Sequence, residues 1–346
     1  MFANGSRPNP VADRLPGIDV WRGTMLAGLG IVVHCADLFD PLHTPWAGMI
    51  AVGSGSFRME VFFALAGYLA VGSQERNPVG WTAQRMLQLG IPFITGWLIV
   101  LPGWNLAVDL PLWDPAAIAH LWFLPVLAAC SLLPRIRMPV HTLYPTAIAV
   151  LTVTIPIVNR MPNEWVVMAV KVPYYALFYF AGQHLVGRAP PAPAWWVPAI
   201  GLLAGFVYAF GFAPALFSDP ARPIWVKLLT HAAPAIVAPA FTMAVFSSAL
   251  TLASAPRHAR HLAGAAYTVY VVHLGVIGLL FATLRSRVAD DVLLFALLCV
   301  LTAAVTLAFH FVVVKRHPFA GFLFNGLTRL GTPLHRRQYD LSAKPR

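Results

Sequence analysis

Long apolar segments, separated by short polar stretches, follow one another along most of the chain. Apolar runs of roughly 18 or more residues are long enough to cross a bilayer as helices. Ten spans are expected, at 18–39, 53–73, 86–104, 119–134, 142–158, 172–188, 195–213, 230–253, 264–284 and 291–314. The pattern therefore predicts an all-α protein, a polytopic transmembrane helical bundle.

Composition agrees with this fold class. Of the 346 residues, 58% are hydrophobic and 11% are charged, whereas soluble domains carry about 25% charged residues. Three parts are expected: a cytoplasmic N-terminal segment (1–17), a transmembrane domain (18–314) and a basic cytoplasmic tail (315–346). Any chemistry is expected in the transmembrane domain.

The formal net charge of +11 would suit a nucleic-acid partner, but the positions of the charges indicate membrane topology instead. With the N-terminus inside, most of the 24 lysines and arginines fall in the inner segments and the tail. The positive-inside rule then places both termini in the cytoplasm. We expect a multi-pass protein of the plasma (inner) membrane, with its tail near anionic lipid and no nucleic-acid partner.

The first span carries ionisable residues at both ends. Each such residue costs about 2.5–3.5 kcal/mol to insert at the centre of a membrane helix, so it indicates a functional site. Arg22 lies near the predicted cytosolic end and His34 near the outer end, with Asp37 three residues beyond His34 on the same helical face. An imidazole takes and returns a proton near neutral pH, so His34 is a candidate general base.

Other spans bring polar side chains to the same outer half of the bilayer. Candidate substrate-binding residues there are Arg58, Glu60, His120 and Trp122, and Trp122 would offer a flat face to a sugar. The alternative is that Arg58 and Glu60 are interfacial and extend to the lipid headgroups.

A second group of residues is expected on the cytoplasmic side. Arginine clusters suit phosphate through the planar donor fork of the guanidinium, and the candidates for cofactor binding are Arg22, Arg76, Arg85, Tyr270 and His273. The last two are expected on the inner half of the ninth span. Positive-inside anchoring is the alternative for the arginines, and a hydrogen-bonded structural role is the alternative for His273.

The sequence does not indicate a metal site. Cys35, Cys130 and Cys299 lie in apolar runs without C-x-x-C spacing. There is no Walker motif, no H-E-x-x-H and no G-x-S-x-G. The chemistry is therefore expected to come from histidine, carboxylates and arginine, without a metal.

Five motifs follow one another in a recognisable order. They are IDVWRG with His34 downstream, FRMEVFFALAGYLA (57–70), RMLQLGIPF (85–93), HLWFLPVL (120–127) and YTVYVVHLGVI (267–277). In these motifs the chain resembles the acyltransferase-3 family of integral membrane acyltransferases, of the glucan-modifying O-acyltransferase type, from about Arg14 to Pro318.

The resemblance implies that an acyl group, acetyl or succinyl, moves from cytoplasmic acyl-CoA to a hydroxyl of a cell-surface glycan, lipid or related acceptor. It matches Arg22 and His34 to the essential helix-1 residues of the family, and Arg85 to a basic residue of the helix-3 motif. The family spacing in helix 1 is R-x10-H, whereas this chain has R-x11-H. Either a π-bulge near Gly28–Gly30 absorbs the extra residue, or Arg22 and His34 lie on different faces.

A function from another class stays open. The same buried His34, Asp37 and Glu60 would serve a non-catalytic transporter, flippase or proton-coupled carrier. Such folds often show inverted repeats with paired broken helices, and none is visible in this sequence. The sequence leaves open whether the protein forms a homodimer, and whether it transfers to oxygen or to nitrogen.

Overall fold

The computed structural model describes residues 16–40, 43–112, 121–136, 164–186, 237–249 and 257–327, and the separate positions 138, 142, 146–147, 149–150, 199 and 203. Every regular element within these residues is helical. The predicted all-α class is confirmed for this part of the chain.

The described residues up to 136 form seven α-helices and two π-helical turns. The first helix consists of α1 (Pro16–Gly23), a π turn (Thr24–Gly28) and α2 (Leu29–Ala36). Next come α3 (Pro45–Gly55), α4 (Arg58–Arg76), α5 (Trp81–Thr95), a π turn (Gly96–Val100), α6 (Leu101–Ala107) and α7 (Phe123–Leu132).

The C-terminal half continues the bundle. Its elements are α8 (Glu164–His184), α9 (Val237–Ala249), α10 (Arg257–Leu284), α11 (Asp291–Phe309), a π turn (His310–Val314) and α12 (Pro318–Asn325).

Local sequence explains where several helices begin and end. Proline occupies the first turn of α3 and α12, where its missing N–H costs no hydrogen bond. Asp290 caps α11 by accepting a hydrogen bond from the backbone N–H of Leu293 at 2.7 Å. Gly326 follows α12 in the left-handed conformation, with φ of 59°.

Four helical stretches in the described residues are long and apolar enough to cross a membrane: Pro45–Arg76, Trp81–Leu106, His261–Leu284 and Asp291–Val314. Phe123–Leu132 and Val237–Ala249 are shorter apolar helices. The chain is therefore a helical membrane protein, but the structure does not confirm ten spans. Most of the seventh predicted span, except positions 199 and 203, and most of the fifth lie outside the described residues.

The helix α10 lies at the centre of the packing and contacts α1, α2, α6 and α11. A second close pair is formed by α4 and α8. A Cβ on Gly67 of α4 would collide with the carbonyl of Tyr179, and a Cβ on Gly182 of α8 would collide with the carbonyl of Ala64. The two glycines therefore let these backbones approach closely, as small residues do in membrane helix pairs.

One predicted boundary differs from the structure. The sixth span was expected to begin at 172, after the polar Lys171, but the helix α8 begins at Glu164 and continues through Pro173. The helix α12, which lies in the expected tail, packs against α5 and α10.

Candidate active site

Arg22 and His34 lie on opposite sides of the π turn in the first helix. The N–H of Leu29 donates to the carbonyl of Thr24, five residues earlier, which closes the wider π turn. A π turn accommodates one more residue than an α turn, so the R-x11-H segment keeps both side chains toward α10. Arg22 Nη2 donates to the carbonyl of Ala263 at 3.1 Å, and the His34 ring lies 5.3 Å from that of His273. Of the two alternatives, the structure therefore has the π-bulge. It lies at Thr24–Gly28, slightly earlier than the expected Gly28–Gly30.

His34 is paired with Asp37. Its Nδ1 is 3.0 Å from Asp37 Oδ2, and the two side chains are 17% and 39% exposed. Because a carboxylate only accepts hydrogen bonds, the proton of a neutral imidazole lies on Nδ1. The Nε2 atom is then the basic nitrogen, as a general base requires.

His273 meets the same part of the first helix from α10. It is fully buried, and its Nδ1 lies 2.7 Å from the Tyr270 carbonyl and 3.0 Å from that of Val269. Both carbonyls accept a hydrogen bond from Nδ1, so Nε2 points the other way, toward Gly30 of α2. It lies 3.8 Å from the place that a Cβ atom on Gly30 would occupy. The structure thus makes neighbours of two rings that the sequence had assigned to different halves of the bilayer, His273 to the inner half and His34 to the outer half.

Arg58 reaches the same point from the first turn of α4. It is 8% exposed, so its side chain is not interfacial. Its Nη1 donates to the Leu29 carbonyl at 3.3 Å and lies 3.7 Å from the position of a Cβ on Gly30. Since α2 carries His34 four residues after Gly30, the guanidinium lies about one helical turn from His34. Arg58, His34 and His273 form what we call the central cluster.

Glu60 is buried beside this cluster. It is 2% exposed, and Tyr174 of α8 donates to its Oε1 at 3.1 Å. Its Oε2 is buried without a hydrogen bond. The interfacial alternative therefore fails for Glu60 as it does for Arg58.

Trp122 lies among aromatic side chains just before α7. Its ring centroid is 4.9 Å from that of Tyr175 and 6.3 Å from that of Phe63. The Lys171 ammonium lies 4.2 Å above the Trp122 ring, so a sugar that stacks on this face would displace a cation. Sequence reasoning missed Lys171, Tyr174 and Tyr175, and the KVPYY segment that carries them was its available signal.

The residues expected to hold a donor divide into two groups. The Arg22 contact at Ala263 is ten residues before His273 on α10, about 15 Å along the helix axis. Arg85 of α5 is half-buried, and Arg76 is exposed at the end of α4. Tyr270, which is 3% exposed, lies beside His273 of the central cluster, with its ring 5.5 Å from that of His273.

Two further points concern predicted ligands. His120 lies outside the described residues. Within the part of the chain that the structure describes, no three His, Cys, Asp or Glu side chains are grouped as metal ligands.

Comparison with known families decides the class of protein. The family model described as an acyltransferase domain, that of the acyltransferase-3 family, matches residues 15–311. The chain belongs to the acyltransferase-3 family. No curated protein and no solved structure shows significant similarity to it.

Membership of the acyltransferase-3 family, together with the apolar helices, supports a membrane acyltransferase in general terms. The match includes every residue of the central cluster and ends at 311. The helix α12, which packs against α5 and α10, lies beyond it.

Proposed function

We propose that this protein transfers an acyl group from acyl-CoA to a hydroxyl of a cell-surface glycan, lipid or related acceptor. The observation that carries the proposal is the His34–Asp37 pair at 3.0 Å, held beside His273 and Arg58 inside a bundle of the acyltransferase-3 family. A base oriented by a carboxylate is what an unactivated hydroxyl needs to attack a thioester.

The reaction has a simple balance. His34 Nε2 takes the proton of the acceptor hydroxyl. At the same time, the oxygen of that hydroxyl attacks the thioester carbonyl. The tetrahedral intermediate then breaks its carbon–sulfur bond, and the leaving thiolate receives the proton from His34. The products are an ester and the free thiol of coenzyme A, and no metal takes part. Transfer to an amine would follow the same steps.

The donor would enter from the cytoplasmic side. Arg22, Arg76 and Arg85 would contact the phosphates of coenzyme A, and the distance of about 15 Å along α10 between the Arg22 contact and His273 suits a donor with a long pantetheine arm. Tyr270 and His273 would line the arm where it reaches His34. His273, assigned from the sequence to donor binding, thus belongs to the reacting end of that path.

The acceptor would approach from the opposite side of the membrane, past Glu60 and Trp122. Polar groups and aromatic surface are added around these two residues by Lys171, Tyr174 and Tyr175. Sugar-binding sites often combine such groups. In this arrangement the protein lies in the plasma membrane with both termini cytoplasmic, and it modifies a component of the cell envelope.

Thiol release tests the proposal. Purified protein in nanodiscs is given acetyl-CoA or succinyl-CoA with glycan and lipid extracts from cells that lack the gene, and free thiol and the labelled acceptor are measured. We expect acceptor-dependent thiol release by the wild type and by His310→Ala, which removes a buried histidine outside the central cluster, but not by His34→Ala.

Absence of both thiol release and CoA binding in the wild type would contradict the proposal. Proton or substrate flux across proteoliposomes, without thiol release, would favour the carrier function instead.

A further inference from the structure

Gly30 of α2 is buried, but close contact between two backbones does not explain it. A Cβ atom added to Gly30 would lie 3.7 Å from Arg58 Nη1 and 3.8 Å from His273 Nε2, which are the ends of two side chains. At Gly67, by contrast, an added Cβ atom would collide with a neighbouring backbone. Gly30 therefore leaves a space between α2, α4 and α10 that is lined by two polar atoms.

These two atoms have opposite hydrogen-bonding character. The His273 proton lies on Nδ1, because the carbonyls of Val269 and Tyr270 accept from that atom, so Nε2 is an acceptor. Arg58 Nη1 carries more than one N–H, and the Leu29 carbonyl accepts from it at 3.3 Å. A group held between the two atoms must therefore donate to His273 and accept from Arg58.

The ligand group that fits this pair of atoms is neutral. An anion would face the lone pair of His273 Nε2, and the carboxylates of Asp37 and Glu60 already act on the charge of Arg58. An amide has both an N–H that donates and a carbonyl oxygen that accepts. Acyl-CoA carries an amide close to its reactive end, on the near side of its sulfur.

The distance from Gly30 to the proposed base agrees with this part of the donor. His34 follows Gly30 by four residues, so it lies on the same face of α2, about 6 Å along the axis, with its side chain leaning back toward Gly30. In acyl-CoA a two-carbon spacer and the sulfur join the amide to the thioester carbonyl, a length of about one helical turn, about 5.4 Å. An amide over Gly30 would place the thioester beside His34.

We infer that Arg58 and His273 bind the amide nearest the sulfur of the donor, in the space that Gly30 leaves open. The amide carbonyl accepts from Arg58 Nη1, and the amide N–H donates to His273 Nε2. The inference rests on the proposed function and deepens it, because it names the part of the donor that is recognised beside the base, whichever acyl group is carried. It also moves Arg58 from the acceptor side to the donor side.

The experiment compares acetyl-CoA with an analogue in which a methylene group replaces the N–H of this amide. The analogue keeps the thioester, the phosphates and the carbonyl. Dissociation constants and initial rates with one acceptor are measured for both donors. The analogue leaves His273 Nε2 without its donor, so the wild type should favour acetyl-CoA by about 5- to 100-fold in kcat/KM. His273→Phe should lose this preference and keep its rate with the analogue.

Gly30→Ala tests the space itself. The added methyl group makes ordinary contact with two side-chain ends, and alanine is the better helix former, so the melting temperature should not fall. The methyl group displaces the donor arm, and a shift of about 1 Å can cost about 100-fold in rate, so kcat/KM should fall by about that factor with both donors. Gly264→Ala, at an exposed glycine of α10, should behave as the wild type does.

Arg58→Met tests the other hydrogen bond. It should lower kcat/KM by about 10- to 100-fold with both donors, because both keep the carbonyl that accepts from the guanidinium. Arg287→Gln removes an exposed arginine between α10 and α11 and should leave both rates unchanged.

Equal use of the two donors by the wild type would overturn the inference, as would a preference that persists in a folded His273→Phe. A Gly30→Ala variant that raises only the acceptor KM would also overturn it, by assigning the space to the acceptor hydroxyl. If His273→Phe or Arg58→Met does not give a monodisperse peak, the wild-type preference and Gly30→Ala decide. A wild type that releases thiol from neither donor contradicts the proposed function itself.

Discussion

Two polar clusters involve α10, and each contains a histidine, but their surroundings differ. In the first, His273 meets His34 and Arg58. In the second, Thr268 lies 2.8 Å from His310 Nδ1 and donates to Asn325 Oδ1 at 2.8 Å. The second cluster joins α10 to the π turn after α11 and to α12, through a chain of hydrogen bonds centred on Thr268.

The difference shows what a buried histidine can mean in a membrane bundle. Thr268 is fully buried and uses its hydroxyl both to donate and to accept, so the second cluster ties three segments together. The central cluster instead combines a carboxylate-oriented histidine with a buried guanidinium that has no carboxylate within 4.0 Å among the described residues. The Thr268 cluster stabilises the fold, whereas the central cluster is suited to hold a polar substrate.

The largest expected effect is at His34. His34→Ala should lower kcat by about 10²–10⁴-fold, the usual contribution of a general base, with little change in melting temperature. The matched substitution His310→Ala should lower the melting temperature and leave kcat/KM close to that of the wild type. Thiol release and thermal unfolding in detergent measure both. A similar loss of activity in the two variants would remove the distinction between the clusters.

Asp37→Asn should have the next largest effect. An amide can still hydrogen-bond to the ring but no longer favours the Nδ1–H form or the charged imidazolium, so kcat should fall by about 10- to 100-fold, as for loss of a charge-assisted bond. Steady-state kinetics at saturating donor would show it. Unchanged kcat would mean that Asp37 does not orient the base.

Arg22→Gln tests the far end of the donor path. It removes the bond to Ala263 and the ion pair with Asp19 at 3.4 Å, and it should raise the donor KM by about tenfold while kcat changes little. Measuring KM for acyl-CoA, with Arg287→Gln as the control, decides this. A fall in kcat without a change in KM would instead place Arg22 in the chemical step.

The smallest effect on activity is expected at Thr268. Thr268→Val keeps the shape of the side chain but leaves the buried groups of His310 and Asn325 without their shared partner. This should cost about 1–3 kcal/mol of stability and leave kcat/KM for acyl-CoA unchanged. Thermal unfolding and thiol-release kinetics check it. A changed kcat/KM would connect the second cluster to the site.

Several features of the site were predictable because they depend on spacing along one helix. His34 and Asp37 are three residues apart, so any helix puts them on one face, and they do pair. The extra residue between Arg22 and His34 required either a π turn or a rotation, and the structure has the turn. The neighbours of Arg58 were not predictable, because a charged residue near the end of an apolar run looks the same whether it faces headgroups or another helix.

Sequence alone determined the helical membrane class, the family and the identity of the ionisable residues that an apolar bundle would otherwise exclude. Those properties follow from hydropathy, motif order and the cost of charge in lipid, all of which are read along one dimension. Only the tertiary structure decided that His273 joins His34, that α8 brings Tyr174 and Lys171 to the site, and that Arg58 is buried over Gly30. These are contacts between helices far apart in sequence, set by the close packing of α10 against α1 and α2 and of α4 against α8, which the pattern within any single segment does not encode.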